Sequence, residues 1–182
     1  MNLEQRCELL TTSRPPKQAR VDVFVLGAGL SGIVMLKKLR EAGVTNVLAC
    51  DKASGVGGTW HWNKYPGAAC DVDSYSYLPF LHEMKFCPSK KYVTAAEIKG
   101  YLERVCLHYG LNESILLETK LETARYDDST ATWHILTDRN DVIESKYLIM
   151  GCGPLSTPRL PDLPGMGSFT GQSFHTSQVS LI

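Results

Sequence analysis

The sequence predicts an α/β protein: a Rossmann-like fold with a parallel sheet and a small antiparallel β segment. Three observations predict it. VDVFVLGAG, Val21 to Gly29, is a β-branched apolar run that stops at glycine, as a strand buried on both faces does. Residues 30–42 then place Leu30, Ile33, Val34, Leu36, Leu39 and Ala42 mostly at helical spacing, with Lys37, Lys38, Arg40 and Glu41 on the wet side. Gly43 closes that helix, and NVLACD, Asn46 to Asp51, reads as a second strand. The three pieces make a βαβ unit of about the minimum length a crossover needs.

Further along, residues 53–92 carry many Gly, Pro and aromatic residues and no period. A stretch of that length without regular elements is usually functional or disordered, and its aromatic content argues against disorder. Thr94 to Glu97 is a T-x-x-E capping box, predicting a helix to about Tyr109 with Ile98, Leu102, Val105 and Cys106 inward. LLETKLETARYD, TWHILT and SKYLIMGCG read as β segments, the last ending in glycines as the first strand did. The four prolines of GPLSTPRLPDLPGMGSF then forbid regular structure.

Composition narrows the function classes. The chain has 182 residues, 43% of them hydrophobic and 21% charged, which suits one globular domain with a real core. Lys plus Arg and Asp plus Glu balance at 19 each, so neither nucleic acid nor an anionic membrane is the expected partner. No apolar window is long enough for a transmembrane helix. The opening segment, residues 1–20, lacks the apolar core of a secretory signal and reads as a disordered polar arm closed by Pro15-Pro16. Six cysteines at irregular spacings form no C-x-x-C pair, so no metal site is expected, and reduced thiols in a cytoplasmic protein are.

Gly27-Ala-Gly29-Leu-Ser-Gly32 is a G-x-G-x-x-G that follows a strand, opens a helix and has Asp51 nineteen residues beyond its last glycine. That context is what a dinucleotide fingerprint demands. Gly27 permits the tight turn, Gly29 clears a side chain from a pyrophosphate's path, and Gly32 lets the helix lie close to the strand. The helix N-terminus offers N–H groups and a partial positive charge to phosphates. Asp51, at the end of the second strand, can accept hydrogen bonds from a ribose diol. The fingerprint by itself does not separate NAD from FAD.

GVGGTWHWNKYPGAACDVDSYSYLPF closely resembles the flavin loop of the class B flavoprotein monooxygenases, in particular the Baeyer–Villiger branch. SKYLIMGCGPLSTPRLPDLPG is similar to that family's return strand and its exit towards an NADPH domain. FTGQSFHTSQ, Phe169 to Gln178, is similar to the opening of its F-x-G-x-x-x-H-T signature. The resemblance runs from Val21 to Gln178. It implies an FAD-binding domain over 21–153, in its N-terminal part only, and over 154–182 an exit linker with a truncated signature.

By the resemblance FAD is the bound dinucleotide. Gly58, Thr59, Trp60, His61 and Trp62 line it, and Asp71, Val72 and Tyr77 stand beside the ring system. Ala69, Cys70 and Asp71 lie where NADPH meets the flavin. Aromatic walls suit this chemistry because water and stray protons would destroy what a reduced flavin makes from oxygen. Asp73 reads as a loop cap, and His61 together with His82, His108 and His134 shows no ligand geometry, so packing is a competing role. Cys70 has no visible cause of a lowered pKa and is not read as a nucleophile.

The implied activity is a Baeyer–Villiger oxidation of a small ketone to an ester or lactone, using NADPH and O2, with secondary metabolism as the expected setting. Two alternatives stay open: N- or S-oxygenation, and a truncated non-catalytic flavin-fold remnant or interaction module. Several departures bear on the choice. Ala69 stands where the family usually has Arg, Val179-Ser180 follows His175-Thr176-Ser177-Gln178 where a Trp is expected, and the second glycine-rich fold and the family's catalytic arginine have no counterpart. No residue is therefore assigned a catalytic role, and a partner chain supplying the missing half is one expectation. A sheet missing its covering layers is expected to expose apolar surface and a strand edge.

Overall fold

The computed structural model describes residues 14–154 and 158–175. At its centre is β1 (Gln18–Leu26), followed by helix α1 (Leu30–Glu41) and β2 (Val47–Cys50). Two one-turn helices, α2 (Thr59–Trp62) and α3 (Ser74–Tyr77), interrupt the long loop. Helix α4 (Ala95–His108) leads through a 3-10 turn at Leu111–Ser114 into β3 (Ile115–Leu116), β4 (Leu121–Asp127), β5 (Thr132–Thr137) and β6 (Val142–Met150). Among the described residues the six strands form one sheet in the order β3-β2-β1-β6-β5-β4. The pairs β3–β2, β2–β1 and β1–β6 are parallel; β6–β5 and β5–β4 are antiparallel.

Alternation along β1 explains its unbroken apolar run. Val23 and Val25 join Ile33, Leu36, Ile98, Leu102 and Val105 in a core beneath α1 and α4. Phe24, between them, enters a second core with Leu48, Cys50, Ile135 and Ile143, which the β4–β5–β6 meander completes. Both faces of the strand are therefore covered, as a parallel strand requires. Burial pushes the Cys50 and Cys106 thiols up to about 12, so both stay protonated. The five described cysteines form no disulfide. No helix among the described residues is long and apolar enough to cross a membrane.

The structure departs from the sequence reading in four places. The first strand begins at Gln18, not Val21, and Arg14 to Lys17 ahead of it are tied to the fold. The Arg14 guanidinium donates two 2.6 Å bonds to Asp141, and the Lys17 N–H donates to the same carboxylate at 2.7 Å. Asp141 is 127 residues away from Arg14, so nothing local could announce the pair. Residues 1–13 of the expected arm lie outside the described residues.

The capping box forms only in half. Thr94 Oγ1 accepts the Glu97 N–H at 3.3 Å, but the Glu97 carboxylate turns to the Ser89 N–H and hydroxyl. The expected strand over LLETKLETARYD breaks after Leu116, where Glu118 takes a φ of 47°. Lastly, β6 starts at Val142, ahead of the Ser145 at which the sequence segment was drawn.

One expectation about exposure is met. β5 pairs with β6 only from Val142 to Ser145, so among the described residues Tyr147 to Met150 pair with β1 alone. Tyr147 and Met150 are each 64% exposed. Among its described residues the Pro-rich segment beyond holds one short 3-10 turn, Met166–Ser168, and Leu160, Leu163, Phe169 and Phe174 are exposed along it.

Candidate functional site

The site starts where β1 ends. The Gly27 N–H donates to the Cys50 carbonyl at 2.8 Å, binding the turn to β2. Gly27 has a φ of 106°, and a Cβ there would lie 2.5 Å from the Gly151 oxygen at the end of β6. A Cβ on Gly32 would come within 1.9 Å of the Gly27 carbonyl oxygen, so α1 and β1 touch through bare backbone. Gly29 is the N-cap of α1; no side chain caps the helix and its first turn carries no acid. The first N–H groups of α1 thus keep their donors and the positive end of the helix dipole.

A second glycine turn packs against the first. Gly58, with a φ of 55°, would carry a Cβ only 2.8 Å from the Gly29 Cα, and the Gly57 N–H donates to the Ala28 carbonyl at 3.0 Å. Two backbones meet here with no side chain between them. Asp51 joins the same junction: its Oδ2 accepts the Ala28 N–H at 2.7 Å and its Oδ1 the Ala53 N–H at 2.9 Å. Each oxygen retains a lone pair for a further donor.

The aromatic residues of the loop divide into two groups. Trp60 Nε1 donates to the Tyr77 hydroxyl at 2.8 Å, and the rings meet edge to face at 5.7 Å. Burial raises the Tyr77 pKa while the indole bond opposes the rise, so Tyr77 is a neutral phenol at ordinary pH. Trp62, 39% exposed, faces outward with the Lys52 ammonium 5.8 Å from its ring centre. His61 is buried; its Nε2 lies 3.4 Å from Ser54 Oγ, and its Nδ1 has no protein partner. Burial, then Lys64 and Lys99, hold the His61 pKa below the usual imidazole value.

The structure brings Gly27, Gly29, Gly32, Asp51 and Gly58 together and pairs Trp60 with Tyr77. Thr59, Ala69, Asp71 and Val72 are exposed, whereas Cys70 belongs to the core beneath α1 and α4. Asp73 is the N-cap of α3, accepting the Tyr75 N–H at 3.0 Å, as a loop cap should. Sequence reasoning missed the Ala28 N–H as the partner of Asp51, and Gly151 as the residue packed on Gly27. The G-C-G step at the end of β6 was the available signal for Gly151.

The assembled features fit a dinucleotide. Its diphosphate needs close backbone approach and free N–H donors, its ribose needs an acceptor, and a planar ring needs aromatic surface. Comparison with known proteins agrees. Residues 25–82 match the model of the NAD(P)-binding Rossmann-like domain. Pentalenolactone D synthase of Streptomyces arenae is 43% identical over 166 residues, covering 91% of this chain and 28% of that protein. Baeyer-Villiger monooxygenase ATR8 of Stachybotrys chlorohalonatus is 39% identical, with 91% and 27% covered.

Among solved structures, the polycyclic ketone monooxygenase of Thermothelomyces thermophila superposes with a TM-score of 0.86 at 32% identity, over 95% of this chain and 29% of that one. A complex of OTEMO with FAD and NADP superposes with a TM-score of 0.78 at 34% identity, over 86% and 30%. Over most of its length the chain is similar to part of proteins named as Baeyer–Villiger and ketone monooxygenases. It spans about 28% of the length of the first of the curated relatives it matches.

Proposed function

We propose that this chain is the FAD-binding part of a Baeyer–Villiger monooxygenase that converts a small ketone to an ester or lactone with NADPH and O2. The back-to-back contact of Gly29 with Gly58, beside a helix N-terminus and Asp51, carries the reading. The Cβ-free junction lets the FAD diphosphate approach the first N–H groups of α1, where the dipole favours its charge. Asp51, fixed by the Ala28 and Ala53 amides, accepts from the ribose hydroxyls. Trp60 and Tyr77, locked to each other, give a rigid wall that keeps water away. Gly27, Gly32, Thr59, His61, Trp62, Asp71 and Val72 complete the FAD side, and Ala69 and Asp71, with the backbone of core-buried Cys70 between them, lie at the edge that NADPH approaches. Bound FAD would supply the oxygen chemistry; the chain's own residues would bind it, orient it and exclude solvent.

The names of the relatives support a role in secondary metabolism, and the free cysteines accord with a cytoplasmic location. The NADPH-binding fold and the groups that receive the ketone belong outside the residues present here, on this chain's continuation or on a partner chain. Residues 21–153 form the FAD domain in this proposal and 154–182 the connection onward.

The reading is tested by titrating the purified chain into FAD and following flavin fluorescence. Saturable quenching, lost when Gly29 is replaced by Val, is the expected result. Unquenched flavin at all protein concentrations contradicts it and leaves a non-catalytic remnant. Ketone-dependent NADPH oxidation by the protein together with the missing portion tests the reaction.

A further inference from the structure

We propose that Arg14 is a positioning residue for the adenosine side of the dinucleotide site, acting through Thr119 on Asp51. The inference rests on the reading of Asp51 as the ribose acceptor. Nothing in the sequence points to it, since Arg14 precedes the first strand and lies far from every glycine of the site.

The route is continuous and short. The Asp141 side chain is wholly buried, and it fixes Arg14 through the two guanidinium bonds. Thr137 Oγ1 and the Lys17 N–H also donate to that carboxylate, so its orientation is set from three sides. The fixed guanidinium then spends one remaining donor on Thr119: Arg14 Nη2 to Thr119 Oγ1 is 3.1 Å. Thr119 is fully buried, and its own hydroxyl proton goes to the Leu117 carbonyl at 2.8 Å. The threonine oxygen therefore has a defined acceptor role that only an outside donor satisfies.

From Thr119 the linkage passes to Asp51 through backbone. The Thr119 N–H donates to the Asp51 carbonyl at 2.9 Å, the Asp51 N–H to Leu116 at 2.9 Å, and the Glu118 N–H to Ala53 at 2.8 Å. Asp51 is thus gripped at both backbone groups by residues 116–119, while its carboxylate reaches forward to Ala28 in the glycine turn. This grip matters because β3 is only two residues long and ends where Glu118 turns to positive φ. So short an edge strand is a weak template by itself. The Arg14–Thr119 bond holds the segment just past that break.

A mere anchor for the N-terminal arm would need only the Arg14–Asp141 pair. The extra bond to Thr119 is what couples the arm to the site. FAD titration by fluorescence quenching, with melting temperatures, of the wild-type chain, R14K and the double variant R14M/D141N separates the two roles. The double variant removes both charges, so no lone carboxylate is left buried. Expected is a melting temperature close to wild type with an FAD dissociation constant raised about fivefold to tenfold, the loss of one positioning hydrogen bond. ADP, used as a competitor, weakens by the same factor, and R14K recovers part of the FAD affinity. An FAD constant in R14M/D141N within twofold of wild type overturns the proposal and leaves the FAD reading intact. So does weakened binding that merely follows a lower melting temperature and is not recovered in R14K. If the wild-type chain itself fails to quench FAD, the FAD reading falls and this inference with it.

Discussion

The junction of the two glycine turns and the outer end of β6 lie on the same sheet but are built in opposite ways. At the junction, Gly27, Gly29, Gly32, Gly58 and Gly151 bring four backbone segments into contact closer than any side chain would permit. At the end of β6, Tyr147 and Met150 stand exposed along an edge that no strand of the described residues pairs with. One region is complete in itself. The other presents apolar surface that water covers poorly, as a sheet does when a further layer belongs on it. The contrast shows that backbone closeness at the junction depends on glycines, while the outer end of β6 leaves apolar side chains exposed.

Replacing Gly32 by Ala gives the largest effect expected from breaking the complete region. The new methyl would sit 1.9 Å from the Gly27 carbonyl oxygen, and backbone cannot give way as a flexible side chain does. Destabilisation of about 3 kcal/mol is expected, near the upper end of ordinary overpacking. It is read as a fall in melting temperature of about 6–12 °C. A variant that melts like wild type would show that α1 can move off β1.

Next in size is D141N, which leaves the Arg14 guanidinium without its charge partner. Arg14 retains some exposure, so a loss of about 2–3 kcal/mol is expected in urea unfolding, below the range for a wholly buried pair. The same pair sets an acid limit. Burial alone would raise the Asp141 pKa, but the bonds from Arg14, Thr137 and Lys17 outweigh it and the value is lowered. A lowered folded-state pKa gives stability present above the unfolded value and lost as pH falls through the folded one. The acid loss below about pH 4 should therefore be smaller in D141N.

Y77F removes the acceptor of the Trp60 indole and should cost about 1 kcal/mol, with a rise in Trp60 fluorescence mobility as the second readout. His61 works in the same pH direction as Asp141, but in a higher pH window. Its lowered pKa means the unfolded chain binds the proton more readily, so stability falls as pH drops below about 6.5. H61F should flatten that part of the stability–pH curve; an unchanged curve would assign the slope to another group. The smallest effect sharpens the other side of the comparison. Y147K with M150K should change the unfolding free energy by no more than about 0.5 kcal/mol and reduce self-association measured by sedimentation. A large loss of stability would mean that this edge is already covered.

Much of the fold was legible because its signals are local. The apolar run of β1, the helical spacing of α1 and the acid at the end of β2 each sit within a few residues of the feature they announce. The glycine turn was equally readable, since only glycine tolerates the φ of Gly27 and the closeness of Gly32 to it. The loop from 53 to 92 was readable as functional but not as structure. Its one-turn helices are too short to show a period, and Asp73 signalled its cap only through residue type. Arg14, Thr119 and Asp141 were illegible, because their partners are more than a hundred residues apart or meet across strand ends.

The sequence by itself determined the βαβ unit, the glycine turn, the acidic residue that faces it and the family that the aromatic loop resembles. Each depends on backbone conformation or side-chain type at neighbouring positions. The tertiary structure alone decided that Gly58 presses on Gly29, that Trp60 bonds Tyr77, that Cys70 turns into the core and that the N-terminal arm is fastened to Asp141. Those are outcomes of where the folded chain brings distant segments, and burial and hydrogen-bond geometry between such segments have no signature along the chain.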